Sequence, residues 1–199
     1  MSIMVARQAP DFTAPAVMPD NKINPSIKLS DYKGKFVLLF FWPLDFTFVC
    51  PTEIIALDRR IEAFEKRDIQ VIGVSIDSQY THLAWKKMPR NKGGIGAVRF
   101  PIVADINHKI TQIYGIEHPD GVALRASFLI DKEGIIQVEM INNLDLGRNI
   151  DEIIRLADAI IYTQKHGKVC PAGWEEGKEA MEANPEGVEI FLGDFSEEL

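Results

Sequence analysis

Two cysteines stand in this chain of 199 residues, at positions 50 and 170, and the first sits where a thiol can act as a nucleophile. Cys50 follows the loop PLDFTFV (43–49) and opens CPTEIIALDRRIEAFEKRD, in which Ile54, Leu57, Ile61 and Phe64 recur at helical spacing. That stepping predicts one amphipathic helix, and Pro51 suits its first turn. Cys50 therefore falls near an N-cap, where free amide groups and the positive end of the helix dipole stabilise a thiolate. The alternative reading of the same position is a small residue at a helix start.

A helix terminus is worth roughly 0.3–1 kcal/mol to a charge, up to about 2 kcal/mol in favourable sites. Bringing a thiol from a pKa near 8.5 to about 6 takes roughly 3 kcal/mol, so a cation is also needed. None stands between Lys35 and Arg59, while Asp45 and Glu53 oppose a thiolate. A reactive Cys50 thus requires a cation from far along the chain. Arg125 is the candidate, inside the apolar run ALRASFLI. Pointing inward it requires an anionic partner; at a strand end its head reaches water. Periodicity leaves both open.

The elements that must position these residues follow from the same patterning. KFVLLFFW (35–42) and QVIGVSI (70–76) read as strands buried on both faces, and FPIVAD as a shorter one. Polar helices are expected near 78–87 and in NHKITQIYG, the latter ended by Gly115. ALRASFLI and IIQVEMI form a hairpin around DKEG. A long helix spans 149–166, with His166 in its last turn and Gly167 beyond it. Right-handed crossovers make the first two buried strands parallel neighbours, and the hairpin adds an antiparallel edge. The fold class is α/β, a mixed sheet flanked by helices, preceded by a Pro-rich N-terminal extension over 1–34 and compatible with a thioredoxin-like layout. Residues 1–167 are expected to form the domain. Residues 168–199, rich in Glu and Gly without a long periodic stripe, are read as an extended, partly mobile arm with Cys170 at its root.

Composition narrows the function. Hydrophobic residues at 46% and charged residues at 26% can fill a core. A net charge of −7 disfavours nucleic acid and anionic membranes as partners, since both reward clustered Lys and Arg. The N-terminal stretch MSIMVARQAPDF lacks a positive region followed by an apolar run and is not expected to act as a secretory signal, and the longest apolar run is too short to span a bilayer. A cytoplasmic or otherwise reducing location is expected. Two cysteines make no disulfide scaffold, and without a C-x-x-C neither a zinc knuckle nor a thioredoxin-like redox pair is indicated.

At this point the residues resemble a family. PLDFTFVCPTE (43–53) is similar to the peroxiredoxin signature Pro-x-x-x-Thr-x-x-Cys. GKVCPAGW (167–174) resembles the resolving-cysteine segment of the typical 2-Cys peroxiredoxins, the alkyl hydroperoxide reductase type. ALRASFLID and NNLDLGRNIDE resemble the two arginine segments of that family, in the same order. The resemblance implies a thioredoxin fold and a thiol-dependent peroxidase reducing hydrogen peroxide and alkyl hydroperoxides. It makes Cys50 the peroxidatic cysteine and Cys170 the resolving cysteine of the partner subunit. Pro43 would shield the site, Thr47 would hydrogen-bond the peroxide, and Arg125 would hold the thiolate. Glu53 and Arg148 would orient those groups. No cofactor or metal is implied. The implied partners are the peroxide, a thioredoxin-like protein or flavoprotein disulfide reductase as reductant, and further copies of the chain in a dimer or ring of dimers. A reading from another class is a ring-forming holdase or redox-relay protein.

GGIG (93–96) lacks the Lys-Ser/Thr of a phosphate loop and resembles the GGLG segment that the family links with over-oxidation. The accompanying Tyr-Phe pair is not evident in the tail, and Phe191 and Phe195 lie in that region instead. His82, His108, His118 and His166 show no ligand spacing and are expected at the surface or at caps. Trp42, Trp85 and Trp174 are expected to pack, the last helping to dock the arm.

Overall fold

The computed structural model describes residues 3–198. It contains two compact units, the first running to Ile150 and the second beginning at Asp151.

The first unit is built on one seven-stranded sheet, in the order β2-β1-β5-β4-β3-β6-β7. The strands are β1 (Thr13–Val17), β2 (Ile23–Lys28), β3 (Phe36–Phe41), β4 (Ile69–Ser75), β5 (Ile102–Ala104), β6 (Arg125–Ile130) and β7 (Ile136–Asn142). β3 is buried along its whole length, as its unbroken apolar run requires of a central strand. It pairs in parallel with β4, which pairs in parallel with β5. β6 runs antiparallel to β3 and joins β7 at the sheet edge, as the hairpin signal indicated. β1 and β2 arise from the Pro-rich N-terminal extension, and they complete the other edge. Phe41, Tyr114 and Phe128 meet at ring-centroid separations of 5.0–5.8 Å in the core of this unit.

The helices of this unit are α1 (Cys50–Arg59), α2 (Ile61–Glu65), α3 (Gln79–Lys87) and α4 (Lys109–Ile113). The single helix expected after Cys50 is two: the chain opens at Arg60, with φ −106° and ψ 8°, before α2 resumes. Ser78 caps α3 by accepting from the Thr81 N–H at 3.2 Å. Among the described residues no helix is long and apolar enough to cross a membrane.

The sheet decides what meets Cys50. β3 ends at Phe41 and delivers the chain to the loop before α1. Because β6 is antiparallel and Phe40 pairs with Ser127, its first residue, Arg125, comes level with Trp42. A residue 75 positions away in sequence thereby reaches the start of α1.

The second unit carries α5 (Ile150–His166) from its second residue onward and α6 (Pro185–Phe195). Asp151 and Glu152 in the first turn of α5 and Lys165 and His166 in the last complement the helix dipole. Gly167, at φ 68°, turns the chain out of the helix. α6 corrects the expectation of an arm without periodic structure. Asn184 caps it, accepting from the Gly187 N–H at 2.7 Å, and Pro185 occupies its first turn.

Candidate active site

Cys50 is the first residue of α1 and is fully buried. Two donors face its sulfur. The Thr47 hydroxyl lies 2.9 Å from Sγ and 2.9 Å from the Leu44 carbonyl, so its one hydrogen is shared between them. The Arg125 Nη1 donates to Sγ at 3.3 Å. Arg125 also donates through Nε to the Leu144 carbonyl and through Nη1 to Glu53 Oε2 at 2.8 Å. Of the two placements open in sequence, the inward one holds: the Arg125 side chain is 4% exposed and is ion-paired.

Glu53, one turn after Cys50 on α1, is the hub. Its Oε1 accepts from the Arg148 backbone N–H at 2.8 Å and from the Arg148 Nε at 2.9 Å. Its Oε2 accepts from the Arg148 Nη2 at 3.1 Å as well as from Arg125. Arg148 continues to the Ala126 carbonyl and the Ser127 hydroxyl, and its guanidinium lies 3.4 Å over the Phe40 ring. Burial pushes the Arg148 guanidinium below the ordinary arginine range, and the Glu53 carboxylate opposes that shift. Gly147 lets this segment pass close to α1, since a Cβ there would stand 3.3 Å from Val49. The buried cluster holds two cations and one carboxylate, a surplus of one positive charge in contact with the cysteine sulfur.

Asp45 and Glu53, the carboxylates that sequence sets against a thiolate, are both occupied by other partners. Asp45 accepts from the Trp42 indole N–H at 2.8 Å and meets the His82 Nδ1 at 2.6 Å. The His82 Nε2 faces the Val103 carbonyl at 3.2 Å. His82 is completely buried, which corrects its expected surface or capping role. The Asp45 backbone N–H donates to Asp77, whose carboxyl is pushed up by burial and by the nearby Asp45. This network fastens the loop that carries Thr47. Sequence reasoning missed it, although His82 in the polar helix segment and Asp45 in the 43–49 loop were both visible.

Pro43 is buried directly after Trp42, in the same loop. The sheet and α1 thus bring Thr47, Cys50, Glu53, Arg125 and Arg148 into one hydrogen-bonded cluster. Cys170 belongs to the second unit and has its own surroundings. It is partly covered, and its Sγ lies 3.8 Å from the Ala159 carbonyl. Burial pushes its thiol up, against the opposing charge of Arg155. Both cysteines are free thiols.

Residues 5–139 match the model of the AhpC/TSA family, and residues 159–193 match the C-terminal domain of 1-Cys peroxiredoxin. The chain belongs to the AhpC/TSA family of peroxiredoxins. It is 50% identical over 191 residues to alkyl hydroperoxide reductase C of Buchnera aphidicola from Schizaphis graminum, covering 95% of this chain and 96% of that one. It is also 50% identical over 191 residues to the chloroplastic 2-Cys peroxiredoxin BAS1 of Hordeum vulgare, covering 95% and 90%. The reduced 2-Cys peroxiredoxin of Plasmodium vivax superposes with a TM-score of 0.94 at 48% identity, over 96% of this chain and all of that one. This peroxiredoxin has the thioredoxin-like fold of its family and is a thiol-dependent peroxidase.

Proposed function

We propose that this peroxiredoxin reduces hydrogen peroxide and alkyl hydroperoxides through Cys50, and that Cys170 of a partner subunit closes the cycle as an intersubunit disulfide. The observation that carries the reading is the contact of the Cys50 sulfur with a guanidinium, 3.3 Å from Arg125. Cys50, as thiolate, attacks one peroxide oxygen. The O–O bond breaks, and negative charge moves from sulfur to the leaving oxygen. Arg125 and the Thr47 hydroxyl are donors already aimed at that path, and fixed donors stabilise developing charge without reorganising. Glu53 and Arg148 hold Arg125 in place, and Pro43 keeps water from the sulfur.

The product at Cys50 is a sulfenic acid, which condenses with a second thiol. The arm over 168–199 brings Cys170 to it. A thioredoxin-like protein or a flavoprotein disulfide reductase then exchanges thiols with the disulfide. The working assembly is a dimer, further joined as a ring of dimers, in the cytoplasm. Peroxide consumption with a thiol reductant tests the first step: Cys50→Ser is expected to abolish it, and consumption that survives the substitution would refute the assignment. Cys170→Ser is expected to keep one turnover and lose the covalent dimer on a non-reducing gel; an unchanged dimer band would reject its role.

A further inference from the structure

Neither sulfur stands open to solvent. Cys50 is fully buried, and Cys170 is partly covered against the Ala159 carbonyl on α5. A disulfide requires sulfur atoms about 2 Å apart, so covered sulfurs must be released before they bond.

The surroundings of Cys170 show what holds it. Its neighbour Val169 is bridged in both directions to Met181, at 2.9 and 3.0 Å. Trp174, four residues on, is 2% exposed. Its indole lies 4.9 Å from the Tyr162 ring of α5 and donates through Nε1 to the Lys178 carbonyl at 3.1 Å. Its backbone carbonyl accepts from the Arg155 Nη1 at 2.7 Å. Arg155 spends its other two nitrogens on Glu152, one turn earlier on α5, at 2.7 and 2.8 Å. Such a two-pronged pair fixes the plane of the guanidinium. The remaining nitrogen therefore points at Trp174 and ties the turn 171–174 to α5, with Cys170 at its start.

Resting on the reading of Cys170 as the resolving thiol, we infer that Arg155 is a positioning residue of the resolving step: its bond to the Trp174 carbonyl is a latch, and release of that latch frees Cys170 to attack oxidised Cys50. The chemistry balances without a further reagent. The Cys170 thiolate attacks the sulfur of the Cys50 sulfenic acid. The S–S bond forms, the S–O bond breaks, and hydroxide leaves and takes a proton to become water. The oxidising equivalents come from the peroxide already reduced in the first step. Seated, Cys170 has its thiol pushed up by burial, which lowers the fraction present as the nucleophilic thiolate. Released into water, it regains the larger thiolate fraction of an unburied thiol. A latch that holds longer leaves the sulfenic acid exposed to a second peroxide, which takes it to the sulfinic acid.

The full-length reduced protein is mixed rapidly with hydrogen peroxide, quenched in acid, and the Cys50 sulfenic acid and the Cys50–Cys170 disulfide are followed by mass spectrometry. In Arg155→Ala the disulfide phase is expected to accelerate about tenfold relative to the sulfenic phase of the same trace, the scale of one charge-assisted hydrogen bond. The peroxide concentration that gives half sulfinic acid is expected to rise by a similar factor. Glu152→Gln, which loosens the fork, should move both in the same direction and by less. In the Cys50→Ser background, Arg155→Ala is expected to bring alkylation of Cys170 to lower pH, because relief of burial outweighs the lost charge. Should Arg155→Ala fail to fold, Arg155→Lys, which keeps a cation without the fork, is expected to give an intermediate acceleration. A disulfide phase that is unchanged or slower, or alkylation that moves to higher pH, would overturn the latch. A wild-type protein that forms the sulfenic acid and no Cys50–Cys170 bond would overturn the resolving role itself, and the latch with it.

Discussion

Replacing Arg125 by alanine removes a cationic hydrogen-bond donor from the Cys50 sulfur, and the loss can be sized from the geometry. Nη1 lies 3.3 Å from Sγ. At an effective dielectric constant of about 20, unit charges at that separation attract by about 5 kcal/mol. Part of that attraction replaces hydration, and a hydrogen bond to a charged group nets about 1.5–3 kcal/mol. A loss of about 2–3 kcal/mol from the attacking state slows reaction roughly 30–150-fold. Single-turnover oxidation by hydrogen peroxide, with Cys170→Ser as background, measures it directly. Alkylation by iodoacetamide at pH 7 is the companion assay. It depends on the thiolate alone, whereas peroxide also loses the donor to its leaving oxygen. Alkylation should therefore fall less than oxidation. Glu53 retains its three bonds from Arg148 in the variant, which supports folding. A folded Arg125→Ala protein that reacts with peroxide within about threefold of wild type would refute the reasoning, since this is under 1 kcal/mol.

Glu53→Gln leaves the Arg125 and Arg148 cations buried without their counter-charge. Unfolding stability is expected to fall by about 3–5 kcal/mol and Tm on the order of 10 °C, read by calorimetry, while Cys50 alkylation at pH 7 does not slow. His82→Leu strips one partner from buried Asp45, and a cost of about 3 kcal/mol in urea unfolding is expected. Lys86 is buried on α3 with its ammonium on the Met18 carbonyl, and burial brings its pKa from 10.5 down to about 8. The unfolded chain therefore binds more protons between these values, so stability rises as pH climbs from about 8 to 10.5. Urea midpoints across that window should show the rise in wild type and a flatter curve in Lys86→Met.

The elements that build the site were legible where one local pattern dominates. The continuous apolar run of β3 and the hairpin chemistry of DKEG needed no tertiary information. Cys50 at a helix start followed from Pro51 and the stripe after it. The need for a distant cation followed from magnitudes, and Arg125 was the evident candidate. Its inward direction was not legible, because it depends on the antiparallel register of β6 against β3 and on Glu53 being there to meet it. Arg148 lies in a loop, where no periodicity speaks, and only the family resemblance pointed to it. The Asp45–His82 pair joins residues 37 positions apart through two packed elements, and neither has a local signature. α6 does carry a local signal. Asn184-Pro185 is a helix-start signal, and Val188, Phe191, Leu192 and Phe195 step by three and four, but the Gly and Glu content of the arm masked that stripe.

In the proposed reaction a buried sulfur beside Arg125 takes the oxygen of a peroxide. Trapping the product tests it most directly: reduced Cys170→Ser protein is given one equivalent of hydrogen peroxide, labelled with a dimedone probe, digested and sequenced by mass spectrometry. The expected result is a stoichiometric adduct on Cys50, absent when Arg125 is also replaced under the same brief exposure. Peroxide consumed with Cys50 unlabelled and still reduced would contradict the account.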